Sequence, residues 1–74
     1  MRGAYERPVM PTHDEAARYR QAVDALPPLT RAVFLLHRVG GLGYARVAER
    51  MEIGGDEVTV HIATAIYRIT RALD

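Results

Sequence analysis

The sequence predicts an all-α domain of four helices, without strands or internal repeats, ending in a helix-turn-helix. Three observations carry this. Apolar residues recur at helical spacing in four separate segments. The pairs Pro27-Pro28 and Gly40-Gly41 cut the chain between them. The last two segments, Tyr44–Met51 and about Gly55–Ala72, are separated only by a tight break from Glu52 to Gly55, and small Ala48 sits where a second helix can cross closely. With 74 residues the chain makes one domain at most, of a size that buries only about 60% of its unfolded surface. Its stability is expected to be a few kcal/mol, so the quality of helix packing decides whether it folds alone.

Residues 1–12 hold Gly3, Pro8 and Pro11 among mixed charges and read as a flexible arm, leaving 13–74 as the domain proper. Thr12-His13-Asp14-Glu15 fits a capping box, with Thr12 as N-cap and Glu15 reaching back to it. The first helix is expected from about His13 to Ala25, with Ala16, Tyr19, Val23 and Leu26 as its apolar stripe. Pro27 and Pro28 end it, because the residue before a proline is driven out of helical geometry. Proline is tolerated in a first turn, so the second helix starts at Pro28 or Leu29 and runs to Val39. Leu29, Ala32, Val33, Leu36 and Val39 make one broad face, which Phe34 and Leu35 extend almost around the helix. Such a helix is central to the core or presents a surface to another protein. Gly40 and Gly41 stop it as a left-handed cap, Leu42 turns inward and Gly43 is the N-cap of the third helix. The fourth helix places Val58, Ile62, Ala65 with Ile66, and Ile69 toward the core.

Composition excludes several functions. No cysteine is present, which removes disulfides, thiolate metal sites and thiol nucleophiles. His13, His37 and His61 are scattered, whereas zinc needs three or four converging ligands, so no metal or cofactor is expected. No carboxylate pair or nucleophile–base pair suggests an enzyme. No apolar run approaches the roughly 20 residues of a membrane span, and the first ten residues lack a signal-peptide core; a cytoplasmic address without membrane contact is the expectation. The net charge is only +1, with a pI near 8.2, whereas dedicated DNA-binding domains often exceed about 9. All ten basic residues are arginine, whose fork suits phosphate and guanine. A lysine-free composition also follows from a GC-rich genome.

Three words carry a family likeness: A-L-P-P-L-T-R-A-V-F-L-L at 25–36, G-L-G-Y-A-R-V-A-E-R-M at 41–51 and V-T-V-H-I-A-T-A-I-Y-R-I at 58–69. From Ala25 to Leu73 the chain resembles region 4, the C-terminal promoter-reading domain of sigma-70 family initiation factors, in its extracytoplasmic-function type. The LuxR-type response-regulator helix-turn-helix shares the val-x-x-his and the small alanine. The sigma resemblance implies a strand-free, winged-helix-like helix-turn-helix whose last helix reads double-stranded promoter DNA at the −35 element. It also implies docking on the flap of the RNA polymerase β subunit and coverage by an anti-sigma factor. The chain has no room for region 2, which in the family recognises and melts the −10 element, so an excised domain or a small free-standing relative is expected.

Departures from the family pattern fall where DNA is read. Glu52 stands where the family usually has a glycine after the first helix of the motif, and a left-handed backbone there costs on the order of 1 kcal/mol. Gly43 replaces a serine or threonine N-cap, and Arg46 replaces the usual glutamate before the val-ala pair. The exposed half of the recognition helix matches Asp56, Glu57, Thr59, Val60 and Thr64, none of them basic. Asp56 and Glu57 complement the helix dipole but oppose phosphate binding; a carboxylate can also accept from cytosine N4. Thr59 is a base or phosphate candidate. His61 sits at the stripe edge and reads either as a packing histidine or as a phosphate contact. Arg46 and Arg50 share a face at i, i+4 and suit phosphate clamping, or solvate the surface with Arg50 paired to Glu49 or Glu52. Arg68 and Arg71 share a face near the chain end. The opposing reading is a protein-docking module in which Val33, Phe34, Leu35 and Leu36 face a partner or a second copy of the chain. The leading reading is a promoter-DNA module acting beside RNA polymerase.

Overall fold

A computed structural model describes residues 11–74, with side chains from Glu15 onward. Of the arm read into residues 1–12, residues 1–10 lie outside the described residues, while Pro11 and Thr12 belong to the first helix. Four helices follow in order: α1 (Pro11–Asp24), α2 (Pro28–Arg38), α3 (Tyr44–Met51) and α4 (Gly55–Leu73). No strand occurs among the described residues. None of the described helices is long and apolar enough to cross a membrane. Helix α1 begins at Pro11, so Thr12 lies within the first turn and does not occupy the N-cap. The side chains of the expected Thr12 cap fall outside the described residues.

Helix α4 is the axis on which the other three pack, and its 19 residues serve two apolar clusters. Val58 and Ile62, in its first half, join Val33 of α2 and Val47 of α3, with Leu36, Leu42, Ala48, Met51 and Ile53 around them. Ala65 and Ile69, further along, join Phe34 of α2 and Ala22, Val23 and Leu26 from α1 and its exit. Neighbouring residues of α2 thus feed different clusters, Val33 the helix-turn-helix and Phe34 the α1 contact. Fully buried Val33, Val47 and Val58 are compact, which lets three helices meet closely at one point.

Three expected faces differ from the observed ones; on α4 Ala65 is buried but Ile66, expected beside it in the core, is 54% exposed. On α1 only Val23 and Leu26 of the expected stripe are buried; Ala16 and Tyr19 are exposed, since α4 is reached by the C-terminal end of α1. On α2 the buried line is Thr30, Val33 and Phe34. Leu29 and Val39 are exposed, Val39 at 78%. The continuous V-F-L-L surface therefore does not exist: Val33 is fully enclosed and Phe34 is 6% exposed. Leu36 is half-buried, and only Leu35 of the four is exposed. A polar link lies on the same face of α2. Thr30 Oγ1 and His61 Nδ1 share a 2.9 Å hydrogen bond across the α2–α4 contact, which satisfies a buried hydroxyl.

Helix ends are closed by side chains from elsewhere in the fold. Arg18 donates to the Leu73 carbonyl at 3.1 Å, tying α1 to the end of α4. Arg31 donates to the Asp24 carbonyl at 3.3 Å, closing α1. After α2, Gly41 takes φ +74°, as expected of the glycine pair. Gly40 is required for space: a Cβ there would lie 2.6 Å from the Leu36 carbonyl oxygen. His37 Nδ1 donates to the Leu42 carbonyl at 2.8 Å, and its ring meets Tyr44 edge-on with centroids 5.1 Å apart. These contacts fix the entry into α3.

Candidate nucleic-acid interface

The turn between α3 and α4 sets the presentation of the last helix. Glu52 is left-handed, at φ 58° and ψ 47°. Its N–H bonds the Glu49 carbonyl at 3.2 Å, and the Ile53 N–H bonds the Ala48 carbonyl at 3.0 Å. That is the Schellman pairing, with Ile53 and Ala48 both packed against the apolar cluster. Glycine is the usual residue here, and the chain tolerates glutamate at a conformational cost. Gly54 then starts α4 from an extended conformation. Its N–H bonds Glu57 Oε1 at 3.0 Å, half of a capping box; glycine has no side chain to supply the other half. Glu57 is thereby engaged in holding the helix start. Thr59 is likewise occupied, donating from Oγ1 to the Gly55 carbonyl at 3.2 Å.

At roughly 100° per residue, the line of α4 opposite the buried Val58–Ile62–Ala65–Ile69 stripe runs through Asp56, Val60, Ala63 and Tyr67. All four are exposed, Val60 and Tyr67 each at 61%. Thr64 lies half-buried beside this line and Thr59 flanks it on the other side. His61 turns toward α2 and Thr30, so it belongs to packing and not to the outer face. Arg68 falls about 180° around the helix from Thr59. It lines a shallow groove at the α1 exit with Ala22, Leu26 and Arg71. Ala63 and Tyr67 escaped the sequence reading; a helical wheel centred on the core stripe, run past the first two turns, finds them.

Arginines do not gather on this face. Arg46 and Arg50 lie about 40° apart around α3, but their surroundings differ. Arg46 Nε is 3.7 Å from Glu49 Oε1, an exposed pair of small worth. Glu49 is therefore Arg46's partner, where the sequence suggested Arg50. Arg50 borders the groove between α2 and α3 with Ala32, Leu35, Leu36, Val39 and Gly40. Arg71 donates to Tyr67 Oη at 2.9 Å and lies over its ring. Within residues 43–74, Arg46, Arg50, Arg68 and Arg71 face five carboxylates: Glu49, Glu52, Asp56, Glu57 and Asp74. The unit that would enter a groove is therefore not electropositive, and little counterion release is available to it.

Two helices crossing at buried valines through a Schellman turn, with the second helix presenting its outer face, form a helix-turn-helix. The family model of sigma-70, region 4, matches residues 16–73. The chain belongs to the sigma-70 region 4 family. Region 4 is a DNA-binding unit of transcription initiation and not an enzyme family. No curated protein and no solved structure matches the chain. Within region 4, α3 and α4 are the helix-turn-helix, while α1 and α2 support α4 from behind through the Phe34 cluster. Among the described residues no cluster of three or more histidines or carboxylates is placed to hold a metal ion.

Proposed function

We propose that this region 4 domain reads −35-type promoter duplex with the N-terminal half of α4 while it is held on RNA polymerase by protein contacts. The observation that carries the reading is the α3–turn–α4 scaffold, fixed by Val47, Val58 and Ile62 and presenting Asp56, Thr59, Val60 and Thr64 beyond the core. In that pose Val60 meets thymine methyls, Asp56 accepts from cytosine N4, and Thr59 and Thr64 offer hydroxyls. Arg46 and Arg50 of α3 supply the flanking phosphate contacts, at the expense of the Arg46–Glu49 pair.

The charge balance gives the second half of the proposal. Four arginines against five carboxylates leave free binding weak. A domain docked on the polymerase meets its promoter at an effective concentration in the millimolar range, which compensates. The exposed Leu35–Val39 ridge of α2, beside the groove that Arg50 borders, suits the β-subunit flap or an anti-sigma factor. A pure protein-docking role with no DNA contact is the second reading, favoured by the acidic start of α4. Selection from a randomised duplex library at low salt separates the two. Enrichment of one motif, altered at one or two base pairs by Val60→Ala or Thr64→Ala, supports base reading. No enrichment leaves protein docking.

A further inference from the structure

The outer face of α4 carries more than a groove-reading surface needs. Asp56, Val60, Ala63, Tyr67 and Thr70 follow one another at four- and three-residue steps, the spacing of a helix–helix seam. All are exposed, and among the described residues no helix covers this line. Opposite charges stand at its two ends, Asp56 on the line at the start and Arg71 beside it at the end, whereas Glu57 and Arg68 lie about 100° off it.

We propose that α4 pairs antiparallel with α4 of a second copy of this chain, about a two-fold axis between Ala63 and Thr64. The register follows from the sequence itself. Centring the axis there sets Val60 against the Tyr67 of the second copy and Asp56 against its Arg71. Ala63 meets Ala63 of the second copy, about 1.5 Å away along the axis, so two small residues lie where the helices approach most closely. A two-fold axis across antiparallel helices brings like flanks together. The Asp56–Arg71 contact forms twice over by symmetry. The opposite, parallel arrangement would set Asp56 against Asp56. Such an interface covers one helix face only, below the area of standard stable complexes, so the dimer is weak. It buries the face that would enter DNA, so pairing and base reading exclude one another. The pairing itself does not rest on DNA being read.

The test uses the full chain by sedimentation equilibrium from about 10 μM to 1 mM, a range suited to a small interface. The expected result is a concentration-dependent dimer that Asp56→Arg or Arg71→Asp alone weakens about tenfold or more, and that the double swap restores. Helical content by circular dichroism separates lost pairing from lost folding. Disulfide trapping gives an independent arm, because the chain has no cysteine of its own. In this register two Ala63→Cys sites lie about 1.5 Å apart along the axis, whereas two Val60→Cys sites lie about 10 Å apart, outside disulfide reach of about 7 Å. Rapid cross-linking of Ala63→Cys but not Val60→Cys supports the pairing. A monomer throughout the range, a dimer indifferent to the swaps, or equal trapping at both sites overturns it.

Discussion

Replacing Glu52 by glycine is expected to stabilise the domain, and the structure says by how much. Glu52 sits at φ 58°, ψ 47°, where an L-residue brings its Cβ against the following carbonyl and loses about 1–2 kcal/mol. Glycine removes that strain but makes the unfolded chain more mobile, which takes back about 0.4–1 kcal/mol. The net conformational gain is about 0.5–1 kcal/mol. A second effect accompanies it: the Glu52 carboxylate lies at the negative end of α3, and removing it relieves an unfavourable dipole contact. Glu52→Ala isolates that part, because alanine loses the charge and keeps the Cβ. Both Schellman hydrogen bonds use backbone atoms and survive either change. Thermal unfolding followed by circular dichroism should therefore rank Glu52→Gly above Glu52→Ala. At about 4–8 °C per kcal/mol for a domain this small, the gap is about 3–6 °C. A Glu52→Gly melting point equal to or below that of Glu52→Ala would refute the left-handed turn and the helix-turn-helix geometry built on it.

Three further outcomes follow from other contacts. Thr30→Val should cost about 1 kcal/mol in urea unfolding, because His61 loses its 2.9 Å partner across the α2–α4 contact; an unchanged midpoint contradicts the link. Gly40→Ala should lower the melting temperature by an amount equivalent to about 1–3 kcal/mol, since the added Cβ meets the Leu36 carbonyl at 2.6 Å and forces the α2 exit to shift. Gly54→Ser, at an N-cap whose extended backbone suits serine and where a Cβ meets nothing closer than Glu57 Oε1 at 3.9 Å, should complete the capping box. The gain is a few tenths of a kcal/mol, read as a raised denaturation midpoint.

Helix limits were legible because the chain is punctuated by residues with one structural use each. Pro27-Pro28, Gly40-Gly41 and the 52–55 break place α2, α3 and α4 to within a residue. The start of α1 was less clear, because a proline in a first turn and a threonine cap look alike in sequence. Faces were harder than limits. Helix α2 is apolar almost all round, so periodicity cannot say whether Phe34 or Val39 goes inward. The choice is made by packing against α1, α3 and α4, and with it goes Thr30 meeting His61 thirty-one residues later, a long-range polar pairing with no local signature. The same pairing removes His61 from the candidate DNA contacts. Glu57 was legible as an acidic first-turn residue, but its bond to the Gly54 N–H depends on a cap that glycine leaves half made. Whether Arg46, Arg50 and Arg68 share a surface was beyond the sequence, because that depends on how α3 crosses α4.

The most direct test of the account is the salt dependence of duplex DNA binding by the free domain, measured by fluorescence anisotropy well below the concentration of self-association. Arg46 and Arg50, with at most one further contact, predict weak binding whose log–log slope against salt is about −2 to −3, at 0.9 per phosphate. A slope of about −6 or steeper would mean that many more phosphates are engaged than these residues supply, and would contradict the placement of the arginines. No binding even at low salt would contradict DNA reading by the free domain.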